Sequence, residues 1–243
     1  MGLYDDEKFF ESYAEMPRSR LGLRAAGEWA QFERLLPRDM TGLDVLDLGC
    51  GYGWHCAYCA SRGARRVLGI DPSGRMLARA REINAAERIE YRLCAVEDFG
   101  WPEAEFDLCI SNLALHYVAE LPPVFAGVYR ALRPGGAFAL NIEHPVFTSG
   151  VNEDWQRDAA GRILHWPVDR YFEPGARRTL FCGCEVTKYH HSLAQILGGL
   201  LEAGFTLAAV DEARPSPEML AADPAMYDEL RRPMMLLVRA EKR

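Results

Sequence analysis

Val45-Leu46-Asp47-Leu48-Gly49-Cys50-Gly51-Tyr52-Gly53, followed about 20 residues later by Gly69-Ile70-Asp71-Pro72-Ser73, decides the fold. The first stretch reads as a short apolar strand that runs into three alternate glycines. Without a Cβ, the backbone there can turn sharply and approach a ligand closely. The second stretch ends in an acid, well placed to accept hydrogen bonds from two ribose hydroxyls. Together they describe a nucleoside pocket at the carboxyl ends of parallel strands.

The dinucleotide fingerprint G-x-G-x-x-G needs a third glycine that lets a helix pack tightly and leaves its N-terminus open to a pyrophosphate. Here the spacing is G-x-G-x-G and the sixth position is Trp54, which crowds the phosphate seat. No G-x-x-x-x-G-K-[ST] loop occurs, so a nucleoside triphosphate has no cradle. Asp47, just before the turn, would repel phosphate and attract an ammonium group. The pattern points to a nucleoside with a cationic tail and counts against a nicotinamide-dependent oxidoreductase.

Outward from this core, short β-rich runs alternate with amphipathic helices, the pattern of a doubly wound parallel sheet. Strands are expected at 44–48, 66–70, 89–93, 107–111, 136–142, 205–211 and 234–240, with helices near 54–62, 73–86, 120–132 and 192–203. Ser73 reads as an N-cap, and Pro134-Gly135-Gly136 closes the third helix. The expected class is α/β: a Rossmann-like, seven-stranded, mostly parallel sheet with helices on both faces. Residues 1–40 read as an N-terminal helical cap of two segments separated by Pro17, with Leu23, Ala26, Trp29, Ala30 and Leu36 lining the second. Residues 41–142 form the core, 143–191 a lid insertion after strand five, and 192–243 a C-terminal helix and closing strands, all within one domain. TLFCGCEVTKYH has the β-branched and aromatic content of a short hairpin strand.

The 243 residues suit one well-buried domain, and 49% hydrophobic with 26% charged residues is ordinary for a soluble globular chain. A net charge of −7 argues against a nucleic-acid partner, which requires a basic face. No apolar run has membrane-spanning length, and the acidic N-terminus does not resemble a signal peptide, so a cytoplasmic protein, monomer or homodimer, is expected. Seven scattered cysteines suggest neither disulfides nor a metal site; Cys56 and Cys59 fall on an apolar helical stripe.

Four segments, VLDLGCGYGWHC (45–56), VLGIDPSGRMLARAR (67–81), FDLCISNLALHYV (106–118) and LRPGGAFALNIEHP (132–145), carry a family resemblance. Through them the chain resembles the class I S-adenosylmethionine-dependent methyltransferases, in particular their bacterial small-molecule branch. The resemblance implies S-adenosylmethionine as cofactor and a small-molecule methyl acceptor. It implies that Asp47, Gly49, Cys50, Gly51 and Gly53 shape the methionine side, that Asp71 and Pro72 hold the ribose, and that Met76 flanks the adenine. Ala95 stands where many members have an aspartate for the adenine amino group; Val96 and Glu97 or Asp98 are the local substitutes.

Asn112 and Leu113, at the end of strand four, face the sulfonium in the family, and Ser111-Asn112-Leu113-Ala114 is not the N-P-P-Y type used on exocyclic base amines. Tyr4, Tyr13 and Arg18 come from N-terminal helices that fold over the cofactor in similar proteins. His116 and His144 are the catalytic candidates: an imidazole titrates near neutrality, and both lie after strand ends. Tyr189, His190 and His191 mark the far end of the insertion, while Trp155, Trp166, Tyr171 and Phe172 read either as an aromatic wall for an acceptor or as the insertion's own core. A regulatory S-adenosylmethionine-binding protein without transfer activity and a nucleic-acid methyltransferase are the alternatives.

Overall fold

The computed structural model describes residues 3–150 and 152–243. After a three-ten turn at Leu3–Asp5 come short helices α1 (Glu7–Ala14), α2 (Pro17–Leu21) and α3 (Trp29–Phe32), with three-ten turns at Gly22–Ala25 between α2 and α3 and at Glu33–Leu35 after α3. Pro17 separates the first two as expected, but the second expected segment is broken in several places. Close packing overrides its periodicity: Gly22 has φ 68°, and a Cβ there would stand 2.8 Å from the Trp54 ring.

The core then runs β1 (Asp44–Leu48), α4 (Trp54–Ser61), β2 (Arg66–Asp71), α5 (Gly74–Ile83), β3 (Ile89–Leu93), β4 (Phe106–Asn112), α6 (Leu121–Ala131) and β5 (Leu132–Glu143). Ser73 caps α5, its hydroxyl accepting from the Met76 amide at 3.2 Å. The third expected helix stops at Ala131, ahead of Pro134-Gly135-Gly136, because Leu132 already pairs with Phe106 and starts a longer β5. The insertion contains α7 (Pro145–Thr148), β6 (Gln156–Arg157), β7 (Ile163–His165), β8 (Gly175–Phe181) and β9 (Cys184–His190). The chain closes with α8 (Leu193–Glu202), β10 (Thr206–Glu212), α9 (Pro217–Ala222) and β11 (Met235–Glu241).

Seven strands form one sheet in the order β10-β11-β5-β4-β1-β2-β3. All neighbours are parallel except β11, which is antiparallel to both β5 and β10. This is the Rossmann-like arrangement the sequence led us to expect. Each central strand feeds two cores, because successive side chains point to opposite faces. Leu46, Leu48, Leu68, Ile70, Phe138 and Leu140 pack with α6 and α8. Val45, Val67, Leu108, Ile110 and Ala139 pack on the other face with α3, α4 and α5.

At the N-terminal ends of the central strands a charge network ties four chain segments together. Arg65 holds Asp44 in a two-pronged contact, and Arg133 reaches both Asp44 at 3.0 Å and Asp107 at 2.7 Å. Asp107 also accepts from the Asp44 amide at 2.8 Å.

In the insertion, β8 and β9 form an antiparallel hairpin whose tip, Cys182-Gly183, has φ of 52° and 72°. Two residues with positive φ are what a tight turn matched to strand twist requires. The hairpin meets the N-terminal helices: the Phe9 and Phe181 rings are 5.8 Å apart, and Cys182 Sγ lies 3.7 Å from Met16 Sδ. Trp166 stacks on Phe147 and meets Trp155 edge-on, and the Arg232 guanidinium covers all three rings at 4.5 to 5.2 Å. Trp155 and Trp166 therefore belong to the insertion's own small core. Among the described residues no helix is long and apolar enough to cross a membrane.

Candidate active site

The glycine turn follows β1 directly, and its three glycines all have left-handed φ: 71° at Gly49, 53° at Gly51 and 73° at Gly53. Added Cβ atoms would meet Ala114 Cβ at 2.3 Å, Met76 Cε at 3.3 Å and Tyr91 Oη at 2.1 Å, respectively. The turn is fastened to β2, since the Gly49 and Cys50 amides both donate to the Ile70 carbonyl at 2.9 Å. Asp71, at the end of β2, accepts from the Gly51 amide with one oxygen and from the Ser73 amide with the other, each at 2.9 Å. Acid and turn thus position one another. Burial pushes the Asp71 carboxyl up to about 6, against the lowering effect of those two amides.

A cavity of about 1140 Å³ opens over these strand ends, above the roughly 300–1,000 Å³ of single-ligand sites. Of the residues singled out in the sequence, Tyr13, Arg18, Gly49, Cys50, Gly51, Asp71, Pro72 and Met76 line it, as do Val96, Glu97, Asn112, Leu113 and His116. Glu97 rather than Asp98 reaches the wall beside Ala95. Leu113 carries φ 55°, a left-handed conformation costly for a branched side chain and often found where a site dictates the backbone. Arg18 is held by the buried Glu28 at 2.8 Å. Burial raises the Tyr13 phenol to about 12 and the Cys50 thiol to about 11, so both stay protonated near neutrality.

Three expected placements need correction. Asp47 does not line the cavity. It shares the β1 face of Val45 and lies under α4, where the Cys56 thiol donates to its carboxylate at 3.2 Å and burial lifts it to about 7. Gly53 is likewise outside the wall; it begins α4, and its missing side chain makes room for Tyr91. His144 is the third. One residue past Glu143, it emerges on the opposite side of the sheet, beside Leu193 and Leu197. Its Nδ1 accepts from the Val146 amide at 3.0 Å as the cap of α7, and its Nε2 lies 3.0 Å from Glu212. His190 and His191 are similarly occupied, His190 with Thr148 and the Tyr171 carbonyl, His191 with the Val118 carbonyl.

On the side of the cavity away from Asp71 lies a cluster that sequence reasoning missed. Lys188 Nζ is 2.6 Å from Glu143 Oε1 and 3.4 Å from Glu153 Oε2, with side-chain exposures of only 5%, 12% and 8%. His116 Nε2 is 3.9 Å from the same Glu143 oxygen. Burial, then the Lys188 and His191 charges, hold the imidazole well below its usual range, so it is neutral at physiological pH. The signals were modest: Lys188 falls in phase with buried Val186 and His190 on β9, and Glu143 ends β5 inside a segment already quoted. Glu153 sits in a loop with no pattern to mark it. Among the described residues no group of three or more His, Cys, Asp or Glu side chains is arranged to hold a metal.

A methyltransferase domain family matches residues 46–140. A solved S-adenosylmethionine-dependent methyltransferase from Mesorhizobium loti is 40% identical, with a TM-score of 0.84 over 91% of this chain and 100% of that one. A Listeria monocytogenes structure provisionally assigned to the same class is 45% identical, with a TM-score of 0.85 over 91% and 99%. A malonyl-[acyl-carrier protein] O-methyltransferase from Pectobacterium atrosepticum is 36% identical over 157 residues, which are 60% of this chain and 61% of that relative. The chain belongs to the class I S-adenosylmethionine-dependent methyltransferases, and S-adenosylmethionine is its cofactor. The cavity fits that molecule: Gly49 and Gly51 bring bare backbone to its wall, Asp71 offers a carboxylate for hydroxyl groups, and the Asp71 charge and the Trp54 ring on the same wall disfavour phosphates.

Proposed function

We propose that this enzyme methylates a small-molecule acceptor bound in the same cavity as the cofactor, between the ends of β4 and β5 and the β8–β9 hairpin. The continuity of the cavity from Asp71 to Lys188 carries this reading, because one space serves donor and acceptor without a gap. Asp71 would hold the ribose hydroxyls, and Pro72, Met76, Val96 and Glu97 would surround the adenine. Gly49, Cys50, Gly51, Asn112 and Leu113, with Tyr13 and Arg18 above, would orient the amino-acid arm. Bound S-adenosylmethionine supplies an activated methyl carbon on a sulfonium.

The remaining work of the protein is alignment and exclusion of water, and positioning supplies most of the acceleration in such a displacement. Tyr4 and Tyr117, hydroxyls 3.3 Å apart, and Phe181 wall the space. A binding protein without transfer activity would have this acceptor side filled; here it is open, which supports catalysis. Calorimetric titration with S-adenosylhomocysteine, followed by a metabolite screen for consumption of labelled donor, tests the reading. Nucleoside binding with no consumption across cell extracts and metabolite pools would reverse it in favour of the regulatory alternative.

A further inference from the structure

The acceptor side of the cavity has a charge pattern that the methyl-transfer reading alone does not explain. Glu143, Glu153, Asp154 and Glu185 supply four carboxylates to its wall, against Lys188 and Arg178. Arg178 and Glu185 face each other at 3.5 Å on the exposed rim. Lys188 is the buried cation, and both of its carboxylate partners already occupy it. On this side of the cavity, Glu153 Oε1 and His116 Nδ1 are atoms without a hydrogen-bond partner on side chains more than nine-tenths buried. Glu143 Oε2 is unpartnered as well. Leaving buried polar atoms without partners is costly, so water or a ligand group completes the set in the working protein.

We propose that Glu143 and Glu153 form an acceptor subsite for the amino group of a primary or secondary amine, with Glu143 accepting its proton. This rests on the methyl-transfer reading and names its substrate class. A carboxylate acceptor would face two acids with no spare cation, and an alcohol would leave the surplus negative charge uncompensated. An amine answers both needs, entering as an ammonium that pairs with the carboxylates and becoming a nucleophile once deprotonated. Burial raises both carboxyls, and the Glu143 charge raises Glu153 further, against the lowering effect of Lys188 on both and of a Thr179 hydrogen bond on Glu153; the net direction favours proton uptake there over the depressed imidazole of His116.

In the step itself, the ammonium gives one proton to the Glu143 carboxylate. The freed nitrogen lone pair forms the new C–N bond as the C–S bond breaks, its electron pair passing to sulfur. The product is an N-methylammonium, and the Glu143 proton returns to solvent.

The test uses matched probes that differ in one terminal group: tyramine, tyrosol and 4-hydroxyphenylacetate, then tryptamine, tryptophol and indole-3-acetate. Binding is read by thermal shift and calorimetry on the full chain saturated with S-adenosylhomocysteine. At least one amine should bind about tenfold or more tightly than its acid and alcohol partners. Glu143→Gln and Glu153→Gln should each weaken that amine about tenfold while nucleoside affinity stays within about twofold, which also reports an intact fold. Equal or better binding of the acids or alcohols, no amine-specific binding, or amine affinity unchanged in both variants would overturn the proposal and leave methyl transfer standing. Failure of the wild-type chain to bind S-adenosylhomocysteine would remove both.

Discussion

Replacing Asp71 by asparagine probes the acid that both fastens the glycine turn and faces the cavity. Each carboxylate oxygen accepts a backbone amide at 2.9 Å, so an asparagine must turn its NH2 group toward either the Gly51 or the Ser73 donor. It also loses the charge that strengthens hydrogen bonds from ribose hydroxyls. Losses of this kind amount to about 2 kcal/mol or more, roughly a thirtyfold drop in affinity. The wild-type carboxyl, raised to about 6 chiefly by burial, adds a pH signature. Protonation removes the acceptor charge, so affinity is full above that value and falls as pH drops through it. At about pH 5 only about a tenth of the free protein remains ionised, and wild-type affinity for S-adenosylhomocysteine should be about tenfold lower than at pH 7.5. The asparagine variant should show almost no such change. Calorimetry at the two pH values decides; a flat wild-type profile, or a variant within twofold of wild type, would refute the ribose role and its electrostatics.

Gly49→Ala should destabilise the chain by about 2 kcal/mol and weaken nucleoside binding, because its Cβ would overlap Ala114 Cβ at 2.3 Å and its φ is 71°. Adding Ala114→Gly removes the overlap and leaves the strain, so melting temperature should recover in part; no recovery would show that the contact is not the cause. Asp47 titrates near 7 in the folded chain against 3.8 ordinarily, so the folded state holds its proton more tightly and stability falls as pH rises from about 4 to about 7, by on the order of 4 kcal/mol. Asp47→Asn should lose that dependence, and urea unfolding at several pH values would expose a wrong assignment as a constant gap between variant and wild type. His144→Ala should lower stability by about 1 kcal/mol through the lost α7 cap and leave S-adenosylhomocysteine affinity unchanged. A collapse of that affinity would return the residue to the site.

The parts of the fold legible in the sequence are those in which local pattern and tertiary environment agree. The strands at 44–48 and 89–93 match to the residue, because each is bounded by turn chemistry. The N-terminal segment was misread where Gly22 meets Trp54, a contact between distant residues that periodicity does not encode. At the cavity, Gly49, Gly51 and Asp71 were readable because a strand end plus a turn fixes their direction, whereas Gly53 serves the packing of Tyr91. Asp47 and His144 were misplaced for a simpler reason: a strand's alternation decides which face a residue serves, and one position moves it across the sheet. Lys188 was overlooked because a lysine on a polar-looking hairpin is ordinarily solvated, and only its pairing with residues from elsewhere in the chain reveals its burial.

The Asp44–Arg65–Arg133–Asp107 network sits at the opposite ends of the central strands from the cavity. Anchorage and chemistry are therefore carried by different ends of the same strands. With the acceptor under the hairpin, as proposed, substitutions there or in the loop around Glu153 would reshape what the enzyme accepts without touching those anchoring ion pairs. That separation makes the cleft rim the natural place to begin laboratory evolution toward new acceptors.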